Sequence, residues 1–311
     1  MTVPLFRTWF NDEHGARLTR RYEVAPTVVL APLDEAEQQR ICDSLVLTVN
    51  DDRPYYRLEL HDVELTGSPH ADTYGEASVI ELETVLGLLS CVVRLAPTWP
   101  TAVFDEHDGT RWVRRGWAFV RGGFETRMAP PSTIPWSRLE SWSDLVTNWP
   151  PANVERVELA LGFYYRSVID RPTAPYKALA SAAIAFEILL GGQLQLELSH
   201  RMSTRGALLV ERDKPEEVYR LLKSWYGMRS KLVHQGERPS HEKVIRFQQF
   251  LMRAIPSMAR LTQSLGSYNR AIEALDLAPF RRQEELDGLF TDEPAWWRRV
   301  DVLEAQNKPA L

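Results

Sequence analysis

The chain has 311 residues, 44% hydrophobic and 25% charged, which is long enough for two ordinary domains and too apolar for wholesale disorder. Its net charge of −5 argues against indiscriminate nucleic-acid binding by the whole surface. No apolar run reaches the roughly 18 residues of a membrane span, and the start of the chain lacks the basic-then-apolar order of a secretory signal. The two cysteines, Cys42 and Cys91, make neither a disulfide framework nor a zinc site, so a cytoplasmic protein without metal or cofactor is expected.

In chain order, Thr27–Ala31, Leu45–Val49 and Tyr55–Leu60 read as strands, rich in β-branched or alternating residues. Ala77 to Leu95 suits a helix, with Ile80, Leu82, Val85, Leu86, Leu89 and Val93 recurring at near-helical spacing. Ala102–Phe104 and Trp112–Val113, parted by Asp108-Gly109, suggest a hairpin, and Trp117–Val120 a further strand. Residues 1–127 are therefore expected to form a mixed α and β domain. Residues 128–152 change character, with five prolines and Trp136, Trp142 and Trp149, and read as an ordered connector holding one short helix.

From Asn153 to the end, residues 153–311, the pattern is helical. Helices are expected over 153–170, 175–191, 194–211, 214–234 and 240–265, with shorter pieces beyond. Asp213, Pro215 and Glu216 mark a helix start, Gly236 its stop, and Pro256 is expected to kink or interrupt its helix. The fold class is thus α+β, a mixed N-terminal domain followed by an all-α bundle.

The helix over 214–234 carries the most informative residues. Val218, Leu222, Trp225 and Leu232 form an apolar stripe, and Arg229 falls on it. A cation there is costly unless paired, so it calls for a carboxylate, a partner subunit or an anionic ligand. Glu187 lies on the buried side of its own helix among Ala183, Phe186 and Leu190, so a Glu187–Arg229 or a Glu187–Arg205 pair would solve both problems. His234 lies about 140° around the helix from Arg229 at about 100° per residue. Either the helix ends early enough for His234 to swing back, or two copies of the helix meet. An arginine that is always cationic and a histidine that exchanges a proton near neutral pH can hold a phosphate and move a proton beside it. Cleavage of RNA by its own 2′-hydroxyl needs those two jobs and no metal. Residues 201–260 hold 13 Lys/Arg against 6 Asp/Glu, a basic excess around both residues. Lys223, Lys231 and Arg238, from that stretch, are the expected RNA contacts.

Over about residues 153–265 the chain resembles the HEPN superfamily, most closely its Apea-like branch of defence ribonucleases. The resemblance rests on three blocks in order. These are Ala185-Phe-Glu187-Ile-Leu-Leu190, the Leu198–Leu209 helix that places Arg205 before small residues, and Arg229-Ser-Lys-Leu-Val-His234 preceded by Tyr226 and followed by Gly236. It implies an all-α bundle that forms a homodimer through the motif helix, and metal-independent endoribonuclease activity leaving 2′,3′-cyclic phosphate ends. It implies Arg229 and His234 as catalytic, with Glu187, Tyr226, Ser230 and Arg205 supporting them. Such proteins commonly act as toxins in abortive infection, an antiviral defense. The chain departs from many members in having Ser230 directly after the arginine. The N-terminal domain is expected to sense a phage-derived or nucleotide trigger or to restrain the nuclease, on domain layout alone. The competing expectations are a non-catalytic HEPN module for nucleotide or RNA binding or complex assembly, and a scaffold in which Arg229 is merely a core ion pair.

Overall fold

The computed structural model describes residues 2–6, 8–10, 13–34, 36, 55–60, 76–92, 101–107, 112–119, 132–150, 152–171, 173–192, 198–211 and 214–280. The chain is α+β and divides into two compact units, Met1–Asn148 and Trp149–Leu311. No helix among the described residues is long and apolar enough to cross a membrane.

The first unit holds strands β1 (Thr2–Phe6), β2 (Thr8–Phe10), β3 (Tyr22–Ala25), β4 (Val28–Pro32) and β5 (Tyr55–Leu60), then helix α1 (Glu76–Val92). Strands β6 (Thr101–His107), β7 (Trp112–Phe119) and β8 (Ser132–Ile134) and helix α2 (Trp136–Thr147) follow. Six strands form one sheet in the order β3-β4-β5-β1-β6-β7, every neighbouring pair antiparallel, while β2 and β8 pair in parallel. The register sets Val28 opposite Leu60 and Leu30 opposite Leu58, so alternate residues of β4 and β5 build one buried apolar layer. On the other face of β5, the fully buried Glu59 carboxylate is met by Arg57 and Arg21, which offset its desolvation. Cys91 is buried, and burial pushes its thiol up, away from the reactive thiolate.

Several expectations for this unit change. Trp117–Phe119 is the end of β7, which runs unbroken from Trp112, so no separate strand exists there. The expected hairpin is present as β6 and β7, while Asp108-Gly109 and the expected strand Leu45–Val49 lie outside the described residues. The stretch read as a connector over 128–152 is shared between the units. Helix α2 belongs to the first: Trp142 stacks on Phe10, its Nε1 donates to the Val85 carbonyl, and Ser143 Oγ donates to the Val24 carbonyl. The tryptophan is there to fill a core, with its one polar atom satisfied.

The second unit is helical throughout its described part: α3 (Glu155–Asp170), α4 (Pro175–Leu190), α5 (Leu198–Val210), α6 (Pro215–Gln235), α7 (His241–Leu265), α8 (Tyr268–Leu277) and a short 3-10 turn, Ala278–Phe280. Val157, Ala160, Leu161, Tyr164 and Val168 form the buried stripe of α3 at helical spacing. Helix α4 buries alanines on most sides and so admits close neighbours, with Pro175 starting it at a position where its missing N–H costs nothing. Helix α7 is the core helix. It passes through Pro256 without interruption, so of the two outcomes expected there the break does not occur: its buried residues continue on both sides of the proline and packing outweighs the lost hydrogen bond. Phe186 packs edge-on against Phe247 and Phe250 of α7, and Trp225 tilts against Phe247.

Helix α5 approaches three others through Gly206. A Cβ there would lie 2.8 Å from Leu222 Cδ1, 2.9 Å from Phe250 Cζ and 3.0 Å from Leu190 Cδ1. Three side chains from three helices would have to move together. Gly206→Ala is expected to lose about 1 kcal/mol net, because overpacking of about 1–3 kcal/mol exceeds the gain of about 1 kcal/mol in helix propensity. Urea denaturation of the two chains measures it, and a stabilised variant would contradict this packing.

Candidate functional site

Helix α6 is buried only in its first half. Val218, Leu222 and Trp225 are buried, and nothing beyond Trp225 is; Val233 is 59% exposed. Lys214 is the N-cap, without a side-chain cap bond, and Pro215 opens the helix; the expected cap, Asp213, lies outside the described residues. Glu216 and Glu217 sit in the first turn, where the helix dipole favours negative charge. Gly236 closes the helix at φ 68°, its N–H donating to the Leu232 carbonyl while Glu237 donates to that of Lys231. This left-handed stop satisfies two terminal carbonyls and suits glycine.

Arg229, Tyr226 and Glu187 come together. Arg229 Nε lies 3.4 Å from Glu187 Oε1, with the arginine side chain 37% and the carboxylate 26% exposed. Tyr226 donates its hydroxyl to the same Oε1 at 2.8 Å, and its ring packs at 6.0 Å from Phe186. Of the two partners open to Glu187 from the sequence, Arg229 is the one it has. Arg229 is thus neither sealed in the core nor free: one edge of its guanidinium is engaged and the side chain remains reachable from solvent. An ion pair this exposed is worth at most about 1 kcal/mol in stability.

Burial, then the hydrogen bond to the Glu187 carboxylate and its charge, push the Tyr226 hydroxyl up to about 12, while Arg229 pulls the other way. The fold therefore favours the neutral phenol. That contribution to stability is complete below the ordinary tyrosine value near 10 and is lost as pH rises through about 12. Tyr226→Phe is expected to cost about 1 kcal/mol near neutrality from the lost bond, and to lose less stability than the parent chain between pH 10 and 12. Urea midpoints for both chains at pH 8 and 11 measure this, and an identical fall in both would refute the assignment.

His234 is exposed, in the last turn of α6. The helix continues through Gln235, so His234 keeps its helical direction and does not swing back toward Arg229. It stands about 7.5 Å along the axis and about 140° around it. Ser230 is exposed beside Arg229. Lys231 makes an exposed ion pair with Glu237 at 3.7 Å. Arg238 lies over the Tyr176 ring at 5.7 Å, and Lys223 over the Tyr219 ring at 5.8 Å.

Arg205 is not part of this group, against expectation. It is 2% exposed and spans the end of α4: Nε and Nη2 donate to the two carboxylate oxygens of Asp276 at 2.7 and 2.8 Å, and Nη1 to the Leu190 and Gly191 carbonyls. A buried fork-shaped cation takes the partner that matches its geometry, and Asp276 of α8 offers both oxygens. Tyr268 of α8 donates to the Ile188 and Leu189 carbonyls. Four successive carbonyls at the end of α4 are therefore held by side chains from α5 and α8. Asp276 stands between Leu275 and Leu277 in the sequence, and nothing in that local pattern marks it as a partner of Arg205. Compared with known proteins, the chain matches no family model, no curated protein and no solved structure.

Proposed function

We propose that the chain is a metal-independent endoribonuclease of the HEPN type, working as a homodimer through the exposed half of α6. The reading is carried by one observation: the same unburied half-helix presents Arg229, with only one edge engaged, and His234, fully in the helix and exposed. On one chain the two residues point about 140° apart. Two copies of the helix packed side by side would set one protomer's histidine near the partner's arginine, the arrangement a two-fold axis generates.

In this proposal the 2′-oxygen of the substrate attacks the adjacent phosphorus as its proton leaves to water, and the bond from phosphorus to the 5′-oxygen breaks. An imidazolium at His234 gives its proton to that leaving oxygen, and Arg229 carries the charge that builds on the phosphorane. The products are a 2′,3′-cyclic phosphate and a 5′-hydroxyl. Glu187 orients Arg229 from its Nε side, and Tyr226 holds that carboxylate in place by donating to it; Lys223, Lys231 and Arg238 meet the flanking phosphates. The Arg229–Glu187 pair also favours one rival, a non-catalytic module in which it is structural and the surface only binds RNA or a partner.

Incubation of purified protein with RNA in EDTA separates the readings. The proposal expects cleavage of RNA, none of an all-deoxy strand of the same sequence, and none of RNA by Arg229→Ala or His234→Ala. Equal cleavage by all three proteins would indicate a contaminant, and binding without cleavage would favour the rival. The first unit is proposed to restrain or trigger the nuclease in abortive infection. Removing residues 1–148, at the boundary between units, is expected to change toxicity in cells, and unchanged toxicity counts against that role.

A further inference from the structure

A second group of chemistry-bearing side chains lies between the start of α5 and the first half of α6, away from His234. An open cleft of about 530 Å³ is lined by Leu198, Ser199 and His200 of α5 and Lys223 of α6. Behind it, His200 Nδ1 lies 2.9 Å from the Tyr219 hydroxyl, the two rings meeting edge to face with centroids 5.6 Å apart. Lys223 holds its ammonium over the Tyr219 ring, an interaction that steadies a cation without neutralising it.

The lining is one-sided in its chemistry. Lys223 brings three donors and a fixed positive charge, and Ser199 a hydroxyl. When the Tyr219 hydroxyl donates to Nδ1, the ring proton of His200 sits on Nε2, which is then a donor too; with both ring nitrogens protonated it remains one. Among the described residues, no carboxylate lines the cleft. Such a place favours a ligand that supplies oxygen acceptors and negative charge, and Leu198 adds an apolar wall for an organic group beside them.

We infer that the cleft between Ser199, His200 and Lys223 binds a phosphate ester of a nucleotide. Lys223 precedes Arg229 by six residues, about 9 Å along the helix axis and about 120° around it. A strand that wraps partly around α6 reaches both, and a free mononucleotide has the same recognisable group. The inference deepens the RNA reading above in naming a nucleotide, but it does not require the chain to cleave anything. His200 and Tyr219 are positioning partners of one another, and Lys223 is the residue that touches the phosphate.

The test uses the full chain and a fluorescein-labelled 2′-O-methyl oligoribonucleotide, which lacks the attacking hydroxyl and stays intact. Anisotropy is read for the parent, Lys223→Ala, His200→Ala and Tyr219→Phe, with adenosine 5′-monophosphate as competitor. Lys223→Ala is expected to weaken binding roughly fivefold at low salt and to flatten the salt dependence by about one phosphate contact. His200→Ala and Tyr219→Phe are expected to weaken it roughly twofold to threefold, since each loses one neutral hydrogen-bond partner. Arg229→Ala should leave the Lys223 effect in place, which separates this cleft from the proposed reaction site. Displacement by the mononucleotide, absent in Lys223→Ala, assigns the cleft to a free nucleotide. Loss of oligonucleotide binding without such displacement assigns it to the strand. If all three cleft variants bind both probes as the parent does, the inference is overturned.

Discussion

Replacing Arg229 or His234 with alanine is expected to lower RNA cleavage at least about 100-fold each, while leaving the melting transition of the chain nearly where it was. The size follows from the roles proposed: a positioned donor facing developing charge is worth about 100- to 1,000-fold, and a general acid about 100- to 10,000-fold. The small stability cost follows from exposure. His234 stands in solvent, and Arg229 is paired across a half-exposed contact of about 1 kcal/mol or less. Arg229→Lys is a sharper probe, because it keeps the charge and loses the planar fork whose Nε edge faces Glu187. It is expected to fall between the parent and Arg229→Ala in rate. Initial rates on a single RNA, with thermal melts of the same preparations, check both halves. Parental rates in both alanine variants would falsify the catalytic roles.

The other arginine behaves in the opposite way. Arg205→Met is expected to destabilise the second unit by about 3 kcal/mol, because it keeps most of the buried volume and removes every polar contact of the guanidinium. Asp276, 36% exposed, regains some water, but the Leu190 and Gly191 carbonyls lose their partner inside the core. For a unit of this size that is a fall of about 6–12 °C in its melting transition, read by calorimetry. Asp276→Asn should cost less, since an amide oxygen still accepts one of the two bonds. An Arg205→Met chain that melts with the parent would show that the clamp contributes little.

These arginines also mark how far the sequence could be read. By sequence periodicity both fall on apolar helix faces, and periodicity alone gives each an equal claim on Glu187. The choice is made by the direction of each helix in three dimensions and by Asp276, 71 residues beyond Arg205, whose isolation in the sequence gave no sign of a pair. The helices themselves were legible. Those expected over 175–191, 214–234 and 240–265 are found at Pro175–Leu190, Pro215–Gln235 and His241–Leu265, because Pro175, Pro215 and Gly236 punctuate long apolar stripes. The strands were less so. Thr2–Phe6 contains Pro4, Tyr22–Ala25 is short and bulged against its neighbour, and Trp112–Phe119 carries Arg114, Arg115 and Gly116 where alternation would be sought. Their pairing comes from distant partners, which a local pattern does not contain. The place of His234 was left open between a fraying helix end and a second chain, and the stop at Gly236 comes too late for the first.

The clasp on the four carbonyls from Ile188 to Gly191 reaches further than stability. Glu187 is the residue just before it, its own carbonyl accepting from the Gly191 N–H. The far end of the chain's described part, at Tyr268 and Asp276, thus holds the ruler against which the carboxylate beside Arg229 is set. If the chain is the toxin proposed above, a genetic screen for loss of toxicity is expected to return hits in α8, a helix outside the Arg229 group, and compensating second-site changes should gather around the same joint.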